Sequence, residues 1–149
     1  MLGQECTTEQ YVPKWDRVKR GRSGHEEVER ARLDVVFNGT AGPVYIDIAV
    51  TEAAAAGGHT STDRARNDGA AALHEEKEKH RRYPGPDLVP FVLEANGRLG
   101  EEAELLLRSV APLDPSERAA EISAAKRSLS TLLQLGNAEI VLSAQGGMH

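Results

Sequence analysis

Arg32-Leu33-Asp34-Val35-Val36-Phe37-Asn38-Gly39-Thr40-Ala41-Gly42-Pro43-Val44-Tyr45-Ile46-Asp47-Ile48-Ala49-Val50 is the stretch on which the fold turns. Its two ends alternate apolar and other residues in the period-two manner of half-buried strands, and residues 38–43 between them are turn chemistry. The pattern predicts an antiparallel hairpin. If Phe37 pairs with Val44, Asp34 falls directly opposite Asp47. Leu33, Val35 and Phe37 then share one face with Ile46, Ile48 and Val50, and both carboxylates point to the other. Like charges opposed across strands repel, and sheet stability has no use for them. A divalent cation between them would make the pair a site.

The hairpin opens outward into an α/β domain. Residues 51–58 form an Ala/Gly-rich connection, and a helix is expected from Thr62 or Asp63, either of which can cap it. Ala65, Ala72, Leu73 and the stem of Lys77 recur at helical spacing, and Pro84-Gly85-Pro86 ends the element. Leu88-Val89-Pro90-Phe91-Val92-Leu93-Glu94 reads as a third strand. A helix between two strands makes a βαβ unit, which places strand three parallel to strand two through a right-handed crossover. Beyond Gly97 the chain turns helical. Residues 101–110 carry Leu105, Leu106 and Leu107, expected to face inward. Asp114-Pro115-Ser116-Glu117 has the form of an N-cap, a proline at the first helical position and an acid at the third. Ile122, Ala125, Leu129, Leu132 and Leu133 then mark a long amphipathic helix to about Gly136, with Asn137 capping a last short helix through Leu142.

The organisation expected is a single domain: a loosely structured lead-in over residues 1–31, an α/β core over 32–100 and helices over 101–145 packing on that core. Tyr11, Val12 and Trp15 are the anchor of the lead-in, and a short helix through Glu26–Glu29 is a further candidate. At 149 residues, 40% apolar, the chain is large enough to bury a core of its own. Its single cysteine, Cys6, excludes an internal disulfide and any zinc knuckle built from several cysteines. Residues 1–5 lack signal-peptide character and no apolar run spans a bilayer, so the expectation is an intracellular protein that does not enter membranes.

A formal net charge of −5 argues against coating nucleic acid by bulk electrostatics. The basic residues are nevertheless grouped, with Lys14, Arg17, Lys19, Arg20 and Arg22 in one stretch and Lys77, Lys79, His80, Arg81 and Arg82 in another. Both flank the acidic pair. Lys79 and Tyr83 lie four residues apart, on one helical face, just before the chain returns to the sheet that carries the aspartates. Phosphodiester hydrolysis needs these parts: carboxylates for a magnesium or manganese ion, and an ammonium group that steadies developing charge or orients a water. The commonest metal-dependent nuclease pattern, Asp then Asp/Glu-x-Lys, would put its lysine at position 49, which is Ala49. Either the site is dead or the lysine has moved to the helix, at Lys79 or, second, Lys77. His25, His59 and His74 lack metal-ligand spacing, and Gly97 and Gly100 match no phosphate loop. Glu94 reads as a strand-terminal acid facing water ahead of a metal ligand approaching from the sheet's edge, and Glu9 is a weak candidate for the accessory acid that some nuclease folds of this pattern carry on a preceding helix.

These segments, with Glu78-Lys79-His80-Arg81-Arg82-Tyr83-Pro84 and Leu88-Val89-Pro90-Phe91-Val92-Leu93-Glu94-Ala95-Asn96-Gly97-Arg98-Leu99-Gly100, resemble the C-terminal restriction-enzyme-like endonuclease domain of non-LTR retrotransposons. That family is similar to the PD-(D/E)XK nucleases, with the lysine displaced onto the next helix and followed by a tyrosine. The resemblance spans roughly residues 9–142. It implies a restriction-endonuclease-like fold, Asp34 and Asp47 as metal ligands, Lys79 as the displaced lysine and Tyr83 as its companion. The implied activity is nicking of DNA in the nucleus, with a reverse transcriptase elsewhere in a larger polypeptide as partner. Lys77, Arg81, Arg82 and Arg98 are the candidate DNA contacts. The chain departs from the family at Arg32-Leu33, where a proline often precedes the first aspartate.

Two other classes compete with a nuclease. One is a nucleic-acid-binding remnant that no longer cleaves, in which the basic stretches matter and the aspartates do not. The other is a helical protein-interaction domain built on residues 101–142.

Overall fold

The computed structural model describes residues 6–21, 24–39, 41–52 and 69–146. In chain order these form β1 (Cys6–Tyr11), a 3-10 turn (Pro13–Trp15), β2 (Arg17–Arg20), β3 (Glu26–Glu29), β4 (Arg32–Gly39), β5 (Gly42–Thr51), α1 (Ala70–Arg82), β6 (Leu88–Glu94), α2 (Glu101–Val110) and α3 (Pro115–Gly146). The fold is mixed α/β. Its main sheet has the strand order β1-β4-β5-β6, and β2 and β3 make a separate two-stranded ribbon.

The deciding hairpin takes the register that its alternation predicts, with Phe37 opposite Val44 and Val35 opposite Ile46. β6 runs parallel to β5, with Asp47 beside Pro90 and Thr51 beside Glu94. The βαβ crossover is therefore present, although the helix start expected at Thr62 or Asp63 lies outside the described residues, as do Ala65 and His59.

Residues 6–31 depart from the loose lead-in. β1 adds a fourth strand, pairing antiparallel with β4 from Cys6↔Phe37 to Tyr11↔Arg32. Its residues are all exposed, so hydropathy gives no sign of it, and it forms because the open edge of β4 satisfies its backbone groups. Glu26–Glu29 is a strand, not a helix. It pairs with Arg17–Arg20 so that Arg17 faces Glu29, Lys19 faces Glu27 and Arg20 faces Glu26, and cross-strand charge does the work that apolar contact does elsewhere. Val12 and Trp15 are buried, as an anchor requires, whereas Tyr11 is half open to solvent.

Two apolar clusters hold the domain. Val12, Trp15, Ala31, Leu33, Tyr83 and Leu88 form one, with Val36 and Tyr45 packed on it. Ile46, Phe91, Leu93, Leu99 and Ala103 form the other, covered by Leu106, Leu107 and Leu129 of the C-terminal helices. Leu33 thus leaves the Val35 and Phe37 face expected for it. The break lies at Asp34 and Glu9, which stand between the paired residues of β4 and β1 without pairing themselves, and Glu9 adopts φ 52°. The left-handed Glu9 turns β1 out of its pleat opposite the point where β4 changes face, at a cost of about 1–2 kcal/mol for a residue with a side chain.

Inward faces of the helices are also revised. In α1 the buried positions are Ala71, Ala72 and Glu76, while Leu73 is exposed and Lys77 points to solvent. In α2 Ala103 is buried and Leu105 is exposed. α3 continues without a break through Gly136 and Asn137 to Gly146. Its start is as expected: Asp114 Oδ1 accepts from Ser116 N at 2.9 Å and Glu117 N at 3.2 Å, and these bonds hold the Asp114 carboxyl below the usual range. Among the described residues no helix is long and apolar enough to cross a membrane.

Glu76 is a charge in an apolar position, and its surroundings are built for it. Its Oε1 accepts from Glu102 N at 3.1 Å, and a Cβ at Gly100 would overlap that oxygen. Gly100→Ala is therefore expected to push the carboxylate off its donor and destabilise the domain by about 1–3 kcal/mol, read as a lower denaturant midpoint at unchanged slope.

Candidate functional site

β5 places Asp47 on the face covered by α1, and α1 places Lys79 above it. Lys79 Nζ lies 2.6 Å from Asp47 Oδ2, with a second, longer approach of 4.0 Å to Glu75 Oε1. The Asp47 side chain is 10% exposed and that of Lys79 17%. The contact is an ion pair set off the line of a good hydrogen bond. Among the described residues, Asp47 Oδ2 is the one buried side-chain oxygen or nitrogen that makes no hydrogen bond. Burial pushes the Asp47 carboxyl above its ordinary range against the pull of Lys79, and the charge of Asp34 pushes the same way.

Asp34 is half-buried where the β4–β5 ladder ends. Backbone pairing stops at Val35↔Ile46, one step short of the aspartates, and Asp34 Oδ2 takes the next donor itself, accepting from Ile48 N at 2.6 Å. The hairpin register thus sets the two aspartates on adjoining strands, near enough for the charge of Asp34 to act on Asp47, and a backbone amide stabilises Asp34.

Tyr83 is the C-cap of α1, where its N–H donates to Lys79 O at 2.8 Å. Its ring is buried and tilts against Trp15 at a centroid separation of 5.4 Å. Burial first, and then the neighbouring Asp47 charge, raise its hydroxyl pKa. Tyr83 therefore backs the site from within the core. The Arg82 guanidinium stands 5.2 Å from the Tyr83 ring and pairs with Glu29 at 2.8 Å.

Other candidates lie elsewhere. Lys77 is exposed, two residues round the helix from Lys79. Arg81 pairs with Glu78 on its own helix. Arg98 sits at the opposite end of α1, 3.9 Å from Glu94 Oε2. Glu94 does not face water: it is buried, and its Oε1 accepts from Ala72 N at 3.3 Å, so it caps the first turn of α1 from the neighbouring strand. Glu9, His25 and His74 are exposed, and Gly97, at φ 91°, shapes the turn after β6.

Sequence reading missed the aromatic cluster behind the site. Trp15 meets Tyr45 edge-on at 5.1 Å, and Lys14 Nζ lies 4.3 Å from the Trp15 ring and 4.4 Å from the Tyr45 ring. Only the isolated tryptophan in an otherwise polar segment hints at it. The site also acquires a second tie from the N-terminal ribbon. Arg17 donates to the carbonyls of Arg81 and Arg82 at 2.8 and 2.5 Å, closing the last turn of α1.

Lys79→Met leaves Asp47 buried beside Asp34 with its nearest cation gone. The expected cost is about 2–3 kcal/mol, below the ~3–5 kcal/mol of a fully buried pair because both side chains retain some exposure. Burial then acts on Asp47 with less opposition, so its raised pKa rises further. A carboxyl with a folded pKa above its unfolded one binds more protons in the folded state, so its stabilising contribution is full below the unfolded pKa and is lost as pH rises through the folded one. The deficit of Lys79→Met is accordingly expected to be largest near about pH 7 and to shrink toward about pH 4 in urea melts.

Among the described residues no group of three or more His, Cys, Asp or Glu side chains is placed to hold a metal ion. The donor set at the site is two carboxylates, one of them ion-paired with Lys79 and the other accepting from a backbone amide. That suits magnesium, which takes one or two protein carboxylates and completes its shell with water and phosphate oxygens, and does not suit a cation needing an all-protein cage. No family model, curated protein or solved structure matches the chain.

Proposed function

We propose that the protein is a metal-dependent DNA endonuclease with a restriction-endonuclease-like core. The observation that carries the reading is the Lys79 ammonium 2.6 Å from the buried Asp47, with Asp34 on the adjoining strand. The reading also draws on the resemblance to the nicking domain of non-LTR retrotransposons, whose displaced lysine has its counterpart in Lys79. In that setting a reverse transcriptase in a larger polypeptide would use the nicked end.

Asp34 and Asp47 would hold magnesium or manganese, which when bound supplies positive charge to the scissile phosphate and acidifies water. Lys79 neutralises Asp47 in the free protein and offers its protons to a phosphate oxygen in the complex, where an ammonium in a partly dry site stabilises developing negative charge. Ile48 N–H holds Asp34 in orientation. Tyr83 fixes the end of α1 and thereby the reach of Lys79. Arg82, three residues on from Lys79 and paired with Glu29, is the basic group of this helix on the side of the site, whereas Lys77 turns away from it and Arg98 lies beyond the far end.

The test is magnesium itself. Millimolar magnesium is expected to raise the melting temperature, with Asp34→Asn and Asp47→Asn each abolishing the shift, and to support nicking of supercoiled or branched DNA. Purified protein that binds DNA yet leaves it intact with either metal sinks the proposal and favours the non-cleaving remnant. In that case Asp34→Asn leaves affinity unchanged or improves it by removing repulsion.

A second reading has its own observation. Leu113, Leu132 and Leu135 are exposed at 90%, 65% and 58% on and before α3, which favours a helical protein-interaction surface. It predicts concentration-dependent association that salt does not weaken.

A further inference from the structure

A cleft of about 260 Å³ opens on the sheet beside the candidate site, walled by Tyr11, Val12, Val36 and Tyr45, with Thr7 and Gln10 at its rim. We propose that it seats one unstacked nucleobase of the strand whose phosphate lies at Asp47 and Lys79; the inference rests on the nuclease reading and deepens it.

Four features support a base. First, Tyr45 and Asp47 stand on the same face of β5 two residues apart, about 7 Å along the strand, which is the scale of a single nucleotide step. Second, the volume lies below the roughly 300–1,000 Å³ of pockets for drug-sized ligands, which matches the scale of a single ring system. Third, the walls are aromatic and aliphatic while the rim is polar. Thr7 and Gln10 bring hydroxyl and amide groups that can donate to or accept from a base edge. The Tyr11 ring is held upright by its hydroxyl, which donates to Asp16 Oδ2 at 2.5 Å.

The fourth feature is charge. Lys14, paired with Asp87 at 2.8 Å, lies over the Trp15 and Tyr45 rings, and the Arg30 guanidinium stands 5.7 Å from Tyr11, so basic groups stand beside the apolar slot, each with a carboxylate near it. Single-stranded nucleic acid is bound by this combination, aromatic surface for the base and positive charge for the backbone. The backbone reversal at Glu9, φ 52°, lies between Thr7 and Gln10 and lets both reach the one cleft from an edge strand.

The experiment compares two single strands of equal length and phosphate number, one with ordinary bases and one built of abasic tetrahydrofuran units, without divalent cation. Trp15, the sole tryptophan, reports binding through its contact with Tyr45. The base-bearing strand is expected to bind about 10-fold more tightly and to change Trp15 fluorescence, as the abasic strand does not. Thr7→Phe, at an exposed position on the edge strand, is expected to fill the cleft and remove that preference, with a far-ultraviolet spectrum confirming the fold. Gln10→Ala is expected to weaken it 2- to 5-fold, on the order of one hydrogen bond. Equal affinity for the two strands, or a preference that survives Thr7→Phe, overturns the cleft. Nicking assayed in parallel with magnesium separates the two ideas. Cleavage without base preference sinks the cleft alone, and base preference without cleavage supports the cleft and sinks the nuclease.

Discussion

Asp47→Asn is expected to lower magnesium-dependent nicking by about 10²–10³-fold or more while leaving the protein folded. The substitution removes one of two carboxylates from the donor set, and Asp34 alone, already accepting from Ile48 N–H, offers little hold on a divalent cation. Stability changes far less than activity. Burying a carboxylate carries a desolvation penalty that raises the Asp47 pKa even with Lys79 beside it, and the amide avoids that penalty. Lys79 keeps Glu75 within 4.0 Å. Circular dichroism and urea melts on the same preparation separate a chemical defect from an unfolded one. Residual nicking within tenfold of the parent, on a folded sample, removes Asp47 from the mechanism.

Trp15→Ala is expected to cost about 3–5 kcal/mol, a large share of the stability of a domain this size. The indole is 5% exposed, meets Tyr45 and Tyr83, and donates from Nε1 to Pro84 O at 2.9 Å. Truncation opens a cavity between the N-terminal segment, β5 and the end of α1, and it orphans the Pro84 carbonyl. Trp15→Phe retains most of the packing and loses the hydrogen bond, so it is expected to fall about 1–2 kcal/mol below the parent. An alanine variant within 1 kcal/mol of the parent, on the order of a single hydrogen bond, would show that this aromatic cluster does not hold the N-terminal residues to the sheet.

What the sequence makes legible follows from which forces leave a linear trace. The β4–β5 hairpin and β6 are set by apolar alternation and by an apolar run, so both strands, their register and the parallel crossover can be read from residues 32–94. β1 leaves no such trace, because a fully exposed edge strand is held by backbone pairing alone. The β2–β3 ribbon is written in charge, Arg-Val-Lys-Arg answered by Glu-Glu-Val-Glu, which hydropathy does not register. Helix faces were misread wherever a charge points inward: Glu76 takes the place in α1 that Leu73 was expected to hold, because Gly100 and the Glu102 amide make room for a carboxylate there.

The acidic pair and Lys79 were legible for another reason. Ala49, where a lysine is missing, directs attention to the helix; the sequence leaves Lys77 and Lys79 both open there, and the structure brings Lys79 to Asp47. The burial of Tyr83 behind the site and the burial of Glu94 at the other end of α1 were not legible. Each depends on a partner remote in sequence: Trp15 for one and the Ala72 amide for the other.

The indole N–H of Trp15 and the guanidinium of Arg17 find their acceptors on residues 81–84, more than sixty positions later in the chain. A ribosome releases both long before those carbonyls exist. The first strands can pair as soon as the hairpin is made, but any stall in synthesis between the hairpin and the crossover helix leaves one edge of the sheet open and one side of the indole bare for chaperones to shield.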